Sequence, residues 1–575
     1  MRRSKLGAFV IAVAVAAPNA WADDAASTPT PGEEAPLQKQ DLTGHDLGTN
    51  KKENVFERDR FFIDKVDSDK TEKGTLVQGS LASTSFGYFE RGGTLAPAAA
   101  AAPSNSPLNR YYTELRLQTD FRHISAGRWD SRIDLRGRLV NDPAPATTGY
   151  TPVTNSSVQS GLLGENELEI KELWLVRNGI RSDVFLGRQF VPDLGGVKID
   201  GVRIDYASST RFTILGFGGL YPIRGSRSID SDYSVLQSQP AADGTRTDEG
   251  RFTGAGGLGA AYRTDNTYGS FGGVALVPFS SEDPRIYATA TGYMRFGAKI
   301  DFYHLAIIDA VGSNAVNAGL TNLTLGLNYK PDQRLRGTLS FNRVDTETLN
   351  VQAQAFLADP DPMFNFVQNE AYLTRIATNQ GRASLSAGLG QLQRFELTAA
   401  VTYRYRGEVV LTPPGAMPTS TTLPAAQSVE AYGAITDRRS IANLRLGLDG
   451  SRVFGVGSAT FQRTSSTSVR ASAAHDIGNG HGEWDLEVGY SATDDDNAGK
   501  TCVDILTCSG AAKSSLLSFG GNIFYRLNRS WFALASAFVN LNTVTHVDMG
   551  TTGSVEVTDP AVTGVTGYLR IAYRF

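Results

Sequence analysis

The chain has 575 residues, of which 41% are hydrophobic and 20% are charged, and its formal net charge is −4. An acidic chain lacks the basic face that nucleic-acid binding requires, so nucleic acid is not expected as a partner. Outside residues 6–17, no apolar run approaches the roughly 20 residues that a membrane-spanning helix needs.

Residues 1–22 are typical of a secretory signal peptide. Arg2, Arg3 and Lys5 form a basic start, residues 6–17 form an apolar stretch, and Ala20-Trp21-Ala22 supplies a small-x-small end. We expect cleavage after Ala22 and therefore export. An N-terminal membrane anchor is the alternative, but the apolar run is short for a span.

Residues 23–74 differ in composition from the remainder of the chain and are predicted to be a flexible periplasmic extension. Residues 23–50 are rich in Pro, Thr, Gly and acidic residues, as linkers are. Residues 51–73 are highly charged but include Phe56, Phe61 and Phe62. This segment is either a solvated linker or a short element that contacts a pore or periplasmic proteins.

From Thr75 onward, segments of about 10–14 residues alternate apolar and polar positions, which is typical of strands whose two faces meet different surroundings. In residues 111–122, Leu115, Leu117 and Phe121 share one face, and the opposite face is polar or charged. Residues 128–139, 394–406 and 483–490 alternate in the same way.

Short and long connections between these segments largely alternate along the chain. Tight turns are predicted around residues 125–127, 178–179, 207–210, 265–266, 331–333, 478–480 and 528–530. Long polar loops are predicted at 91–107, 141–164, 221–250, 346–370, 407–438, 494–512 and 543–561. A soluble sandwich with Greek-key connections has no reason to sort its loops by length.

The expected fold class is therefore all-β. Residues 75–575 are predicted to form a transmembrane antiparallel up-and-down β-barrel of about 22 strands, within a range of about 18–24, with short periplasmic turns and long extracellular loops. Membrane lipid would contact its outer face. The strand count is least certain around residues 285–309 and 371–392.

Residues 167–206 resemble the hairpins of substrate-selective porins. These hairpins often have an apolar strand, a tight turn, an LGRQ-like strand and a DG(V/L)R-like strand. The matching positions are Leu186-Gly187-Arg188-Gln189 and Asp200-Gly201-Val202-Arg203. The resemblance implies a porin-like barrel and does not indicate a solute.

The last strand resembles the sorting signal of bacterial outer-membrane barrels. That signal ends in Phe, with apolar or aromatic residues at alternate positions before it, and Leu569, Ile571, Tyr573 and Phe575 match it. The resemblance implies that these four residues act as a membrane insertion signal, that the barrel assembly machinery is a partner, and that the protein resides in the outer membrane.

Charged residues at alternate strand positions cost about 2–4 kcal/mol each on the lipid side near the midplane, so the predicted barrel must turn them towards water or towards one another. Opposed rows of Arg and carboxylates would select small charged or polar solutes. Alternatively, the rows only neutralise one another and stiffen the wall. The candidate pore-lining residues are Arg116, Asp120, Arg122, Arg132, Asp134, Arg136, Arg138, Glu169 and Arg188.

Few features indicate other chemistry. Cys502 and Cys508 are predicted to form a small loop disulfide, as a close pair in an exported chain usually does. The six histidines lack metalloprotease spacing and no nucleophile-elbow motif is present, so an enzyme and a cofactor are not expected. The acidic segments 359–361 and 494–497 offer oxygen ligands of the kind Ca²⁺ binds, although solvated loop acids explain them more simply.

Two functions compete for such a barrel. The first is a porin-like channel for diffusion of small hydrophilic or charged solutes. The second is a structural component of an envelope-spanning machine for secretion, polysaccharide export or surface motility, with residues 51–73 meeting periplasmic partners. A barrel enzyme is a third and disfavoured interpretation. A folded plug domain like that of TonB-dependent transporters has no room before Thr75.

Overall fold

The structure of the protein is a computed structural model. It describes residues 75–91, 109–141, 167–179, 181–222, 235–237, 248–250, 252–264, 266–279, 284–311, 319–332, 334–345, 377–390, 394–411, 421–423, 425–441, 444–456, 464–477, 481–495, 513–528, 530–550 and 553–575. The predicted signal peptide, the extension 23–74, the Cys502–Cys508 pair and the acidic segment 359–361 lie outside the described residues. The domain boundaries therefore stay predictions.

In the described residues, 22 long strands form one antiparallel sheet in which neighbours in the chain are neighbours in space. They are β1 (Leu76–Arg91), β2 (Asn109–His123), β3 (Trp129–Asn141), β4 (Glu167–Asn178), β5 (Ser182–Val191), β6 (Val197–Ala207), β7 (Phe212–Leu220), β8 (Thr253–Arg263), β9 (Thr267–Pro278), β10 (Arg285–Phe296), β11 (Ile300–Val311), β12 (Gly319–Tyr329), β13 (Leu335–Asp345), β14 (Ala377–Leu389), β15 (Phe395–Arg406), β16 (Ala426–Ile441), β17 (Leu444–Gly455), β18 (Thr464–Ile477), β19 (Gly482–Asp495), β20 (Lys513–Arg526), β21 (Trp531–Gly550) and β22 (Val562–Arg574).

The sheet closes on itself. β1 pairs antiparallel with β22, with Ser80 opposite Arg574 and Phe86 opposite Tyr568. At the seam, Gly79 N donates to Phe575 O at 3.0 Å, and Phe575 N donates to Gly79 O at 3.1 Å. A closed barrel leaves no free sheet edge. The predicted up-and-down barrel and its strand number are therefore confirmed.

The two ends of the barrel differ in their connections. Those after even-numbered strands are short, as at residues 124–128, 208–211 and 264–266, and this is called the short-turn end. Those after odd-numbered strands are mostly long, as at residues 142–166, 221–252 and 346–376, and this is called the long-loop end. Residues 192–196 are an exception, because they join β5 to β6 at the long-loop end in only a few residues.

The remaining described elements are small. Val235–Gln237 pairs with Asp248–Gly250, Val409–Leu411 pairs with Thr421–Leu423, and Gly553–Thr558 pairs with the end of β21. A four-residue helix, Ile124–Gly127, lies between β2 and β3. Among the described residues, no helix is long and apolar enough to cross a membrane.

Two predicted loops are wrong in part. The loop predicted at 407–438 ends earlier, because β16 already begins at Ala426 and pairs with β15. The loop predicted at 543–561 is largely strand, because β21 continues to Gly550 and pairs there with Gly553–Thr558. The outward positions Gln427, Thr543 and Thr545 are polar, which interrupts the apolar alternation that signals a strand.

Candidate functional site

The outer face of the barrel is apolar. Large hydrophobic side chains alternate along the strands and are open to the surroundings, with Leu258 74% exposed and Phe271 63% exposed. Soluble proteins rarely expose a contiguous apolar surface of this extent. A closed barrel that satisfies its backbone internally and turns apolar side chains outward is suited to a lipid bilayer, so this barrel spans a membrane.

The inner face of β2, β3 and β4 carries a lattice of ion pairs. Arg116 on β2 donates two hydrogen bonds to Asp134 on β3, from Nε at 2.9 Å and from Nη2 at 2.6 Å. On the other side of β3, Arg132 Nε lies 2.6 Å from Glu172 and Arg136 Nη2 lies 2.8 Å from Glu169 on β4. Each of these arginines therefore meets a carboxylate on a neighbouring strand.

Additional contacts join these pairs into one group. Glu114 accepts a hydrogen bond from Arg138 Nη2 at 3.1 Å and lies 3.6 Å from Arg136. Asp120 lies 3.8 Å from Arg132. The lattice is buried: the side chain of Asp134 is 4% exposed, and Arg116 is the most open member at 35%. It is called the β2–β4 lattice below.

The β2–β4 lattice contains seven of the nine residues predicted from the sequence to line the pore: Arg116, Asp120, Arg132, Asp134, Arg136, Arg138 and Glu169. Arg122 is buried near the short-turn end of β2. Arg188 on β5 donates two hydrogen bonds to Asp200, at 2.6 Å and 2.5 Å, and one to the Ile170 carbonyl oxygen on β4 at 3.2 Å. Glu114 and Glu172 complete the lattice and were not predicted as site residues. The pore-lining role of the predicted set stays a prediction.

The short connection between β5 and β6 folds onto the inner wall. Residues 191–197, called the inward tip, turn back through Pro192–Leu194 and two glycines with positive φ, Gly195 at 75° and Gly196 at 70°. Glycine adopts this left-handed backbone conformation without steric cost because it has no Cβ. The tip contacts β8, β9 and β10, so it lies across strands distant from its own hairpin.

Asp193 anchors the inward tip. Its side chain is 2% exposed and accepts hydrogen bonds from Arg203 Nη2 at 2.8 Å, Arg263 Nη2 at 2.9 Å and the Tyr268 hydroxyl at 2.5 Å. The Ser270 hydroxyl donates to the Asp193 backbone carbonyl at 2.8 Å. Two cations and two hydroxyls from three strands therefore hold one residue of the tip.

Leu194 adds an apolar anchor beside Asp193. It is fully buried, within a cluster that includes Ile199, Leu215, Phe217 and Val274. Two glycines leave room for its side chain, because a Cβ atom at Gly272 or Gly259 would lie only 2.5 Å or 2.6 Å from Leu194 Cδ2. The inner wall along β6–β11 is thus covered by the tip rather than left open to the lumen.

A second group of ion pairs lies on the inner face of β15–β19 and is much more open. Arg470 on β18 donates to Asp449 at 2.9 Å and to Glu487 at 3.3 Å, and its side chain is 51% exposed. Arg404 pairs with Glu430 at 2.5 Å. Arg438 pairs with Glu396, and Arg445 pairs with Glu483 and Asp476. These residues are called the β15–β19 group.

The β15–β19 group faces the lumen by strand alternation. Leu448, Val469 and Val488 are exposed on the outer face, and the adjacent Asp449, Arg470 and Glu487 therefore lie on the inner face. None of these residues was among the predicted site residues, although their strands show the same alternation as β2 and β3. Their side chains differ from those of the β2–β4 lattice in being exposed. Exposure depends on which parts of the chain face these side chains across the lumen.

The inner wall offers charge and hydrogen-bonding groups rather than reactive chemistry. In the part of the chain that the structure describes, no group of three or more His, Cys, Asp or Glu side chains could hold a metal ion. Exposed guanidinium and carboxylate groups in a lumen attract ions and orient polar solutes. The site is therefore suited to passage or binding of hydrophilic molecules.

No protein-family model matches the chain. No curated protein matches it. Among solved structures, OccAB1 of Acinetobacter baumannii is 8% identical with a TM-score of 0.39, and the match covers 88% of this chain and 99% of that chain. A mutant of the ferric enterobactin receptor PfeA from Pseudomonas aeruginosa is 8% identical with a TM-score of 0.46, covering 88% and 81%.

A BenF-like porin from Pseudomonas fluorescens Pf-5 is 10% identical with a TM-score of 0.31, and the match covers 87% of this chain and 98% of that chain. All three TM-scores are below 0.5 and all three identities are far below 25%. Matches at this level do not indicate the function of this chain.

Proposed function

We propose that this protein is an outer-membrane channel through which small hydrophilic solutes diffuse. The observation that carries the proposal is the exposure of the β15–β19 group on the inside of a closed barrel whose outside is apolar. Arg470 keeps half of its side-chain surface open although it faces inward. Water therefore reaches the inner wall on this side.

The size of the barrel supports the same conclusion. Small barrels of about eight strands are filled by their own side chains, whereas barrels of about 16 strands or more enclose an aqueous lumen unless something plugs them. Here the inward tip covers the wall along β6–β11, whereas no described residue covers the β15–β19 group in the same way. The proposed path of the solute therefore runs along β15–β19.

The charges of this path suggest how it treats ions. Arg404, Arg438, Arg445 and Arg470 are each paired with at least one carboxylate. Closely spaced opposite charges give a strong local field with little net charge. Such a path favours polar and zwitterionic solutes and discriminates weakly between small anions and cations.

Liposome swelling tests the proposal. Folded protein would be reconstituted into liposomes that are then diluted into isotonic solutions of sugars of increasing size. The control is the same protein reconstituted after heat denaturation. We expect swelling that is fast with a pentose, slower with a disaccharide and absent with the denatured control.

Absence of swelling from a barrel with heat-modifiable electrophoretic mobility would contradict the proposal. It would favour a barrel closed by a partner in a larger assembly, which is the alternative that the sequence leaves open. Swelling that is equally fast with all sugars would show a lumen without the partial closure that the inward tip provides.

A further inference from the structure

The outer face of the barrel is not uniformly apolar. On β1, β3 and β9 the apolar surface continues to the long-loop end, where Phe89, Leu139 and Val277 are exposed. On β18–β20 the outward positions nearest that end are instead polar, as at Thr467, Asp494 and Lys513, and Arg452 on β17 and Thr543 on β21 extend this polar area to either side. These residues line one depression on the outside of the barrel, called the outer notch, whose main members are Arg452, Thr467, Tyr490, Lys513, Ser515 and Thr543.

Strand register places the outer notch on the lipid side. Arg452 is separated from Leu448 and Phe454 by an even number of positions, so it shares their face of the strand. Leu448 and Phe454 are exposed on the outer face. Arg452 lies directly opposite Thr467, and that row continues across the next strands through Ser515 to Thr543. Directly paired residues of an antiparallel sheet share a face, so the whole row points outward.

Arg452 is the unusual residue of the outer notch. It is exposed, its guanidinium carbon lies 5.1 Å from the centre of the Phe454 ring, and it has no carboxylate partner among the described residues. Phe454 and Val456 continue the apolar surface beyond it towards the long-loop end. An outward-facing cation within an apolar surface requires an anion or access to headgroups.

The other members of the outer notch supply further cationic and hydroxyl hydrogen-bond donors. Lys513 brings a second cation, and the hydroxyls of Thr467, Ser515 and Thr543 are able to donate hydrogen bonds. Asp494 lies directly opposite Lys513 and is the one carboxylate among the described residues that line the notch. Its charge opposes anion binding at that edge and leaves Arg452 as the main anchor.

We propose that the outer notch binds the phosphate group of a membrane lipid. A phosphate has several oxygens, which guanidinium, ammonium and hydroxyl donors satisfy together. A lipid is favoured over a dissolved anion because the wall next to the notch is apolar, with Val469, Leu517 and Leu541 exposed beside it. Acyl chains would cover these side chains while the headgroup occupies the notch. This proposal does not depend on the channel function.

Native mass spectrometry of the full-length folded protein tests the proposal, with lipid A, a bisphosphorylated glycolipid, as the probe. The variants are Arg452→Ala, Lys513→Ala and Asp494→Asn. The matched control is Arg177→Ala, because Arg177 is also exposed on an outward strand position but lies at the short-turn end of β4.

We expect the wild type and Arg177→Ala to retain one lipid A molecule, and Arg452→Ala to weaken its retention at least about tenfold, as loss of a charge-assisted hydrogen bond usually does. Lys513→Ala should weaken it less, and Asp494→Asn should strengthen it. Dephosphorylated lipid A should not be retained.

Three results would overturn the proposal. Equal retention of lipid A by Arg452→Ala and the wild type would show that the notch is not the site. Equal retention of the dephosphorylated lipid would show that phosphate is not recognised. Inorganic phosphate competing at the same concentration as lipid A would show a site for a dissolved anion. Unchanged heat-modifiable mobility of each variant would establish that it is folded.

Discussion

The inner wall of this barrel contains two sets of ion pairs made from the same residue types, and they differ in exposure. In the β2–β4 lattice, Asp134 is almost completely buried and its partner Arg116 lies on the neighbouring strand at hydrogen-bond distance. In the β15–β19 group, Arg470 is half exposed while it contacts two carboxylates. The comparison separates charges that hold the wall together from charges that meet the lumen.

The physical cost of removing one partner differs between the two sets. A buried charge that loses its partner is left without solvent and without compensation. An exposed charge that loses its partner is solvated by water and screened by salt. Stability measurements should therefore identify the β2–β4 lattice and the inward tip, and transport measurements should identify the β15–β19 group.

The largest effect is expected at the anchor of the inward tip. Asp193→Ala removes the common acceptor of Arg203, Arg263 and Tyr268 and leaves Arg263 buried, so the free energy of unfolding should fall by about 3–5 kcal/mol. Urea unfolding in phospholipid vesicles measures this change. A loss below about 1 kcal/mol would mean that the tip is not held by Asp193.

The next effect compares the two sets directly. Arg116→Ala should lower the free energy of unfolding by about 3 kcal/mol, because Asp134, whose side chain is 4% exposed, loses both hydrogen bonds from that guanidinium. The matched variant Arg470→Ala leaves Asp449 and Glu487, whose side chains are 20% and 28% exposed, to be solvated by water, and should cost less than about 1 kcal/mol. Equal losses in the two variants would remove the distinction between the sets.

A smaller effect is expected at the glycines that leave room for the Leu194 side chain. A Cβ at Gly272 would lie 2.4 Å from the Leu258 carbonyl oxygen and 2.5 Å from Leu194 Cδ2, so Gly272→Ala should cost about 1–3 kcal/mol in unfolding free energy. Gly269→Ala on the same strand is the control, because no atom of the described residues lies within 4 Å of a Cβ built there. A loss at Gly269 as large as at Gly272 would show that the effect is general to this strand.

Much of the barrel can be predicted from the sequence because strand alternation and turn chemistry are local signals. The strand number was predictable despite uncertainty at residues 285–309, where the structure has β10 and β11 joined by a tight turn through Gly297, which has a φ of 62°. The long-loop ends of β16 and β21 were missed because polar residues at outward positions, Gln427 on β16 and Thr543 and Thr545 on β21, interrupt the apolar alternation. The same polarity marks the outer notch near β21.

The sites were less predictable because they depend on partners far apart in the chain. Charged alternation identified the arginines of β3, but Glu172 becomes the partner of Arg132 only through the register between β3 and β4, and a shift of that register after Asp134 places Glu169 opposite Arg136. Asp193 and Tyr268 meet although β6, β7 and β8 lie between them in the chain. One local signal did exist. Residues 192–196 form a short connection with two glycines, whereas the connections on either side of it at the long-loop end are long.

Single-channel recording in a planar lipid bilayer under a salt gradient tests whether ions pass along β15–β19, by comparing the reversal potentials of Arg470→Gln and Arg136→Gln. Arg470→Gln removes the cation that Asp449 and Glu487 share in the lumen, so we predict a shift towards cation selectivity. Arg136→Gln, in the buried lattice, should leave the reversal potential of the folded fraction near that of the wild type. A shift with Arg136→Gln and none with Arg470→Gln would contradict the account and would place the path of the ions along β2–β4.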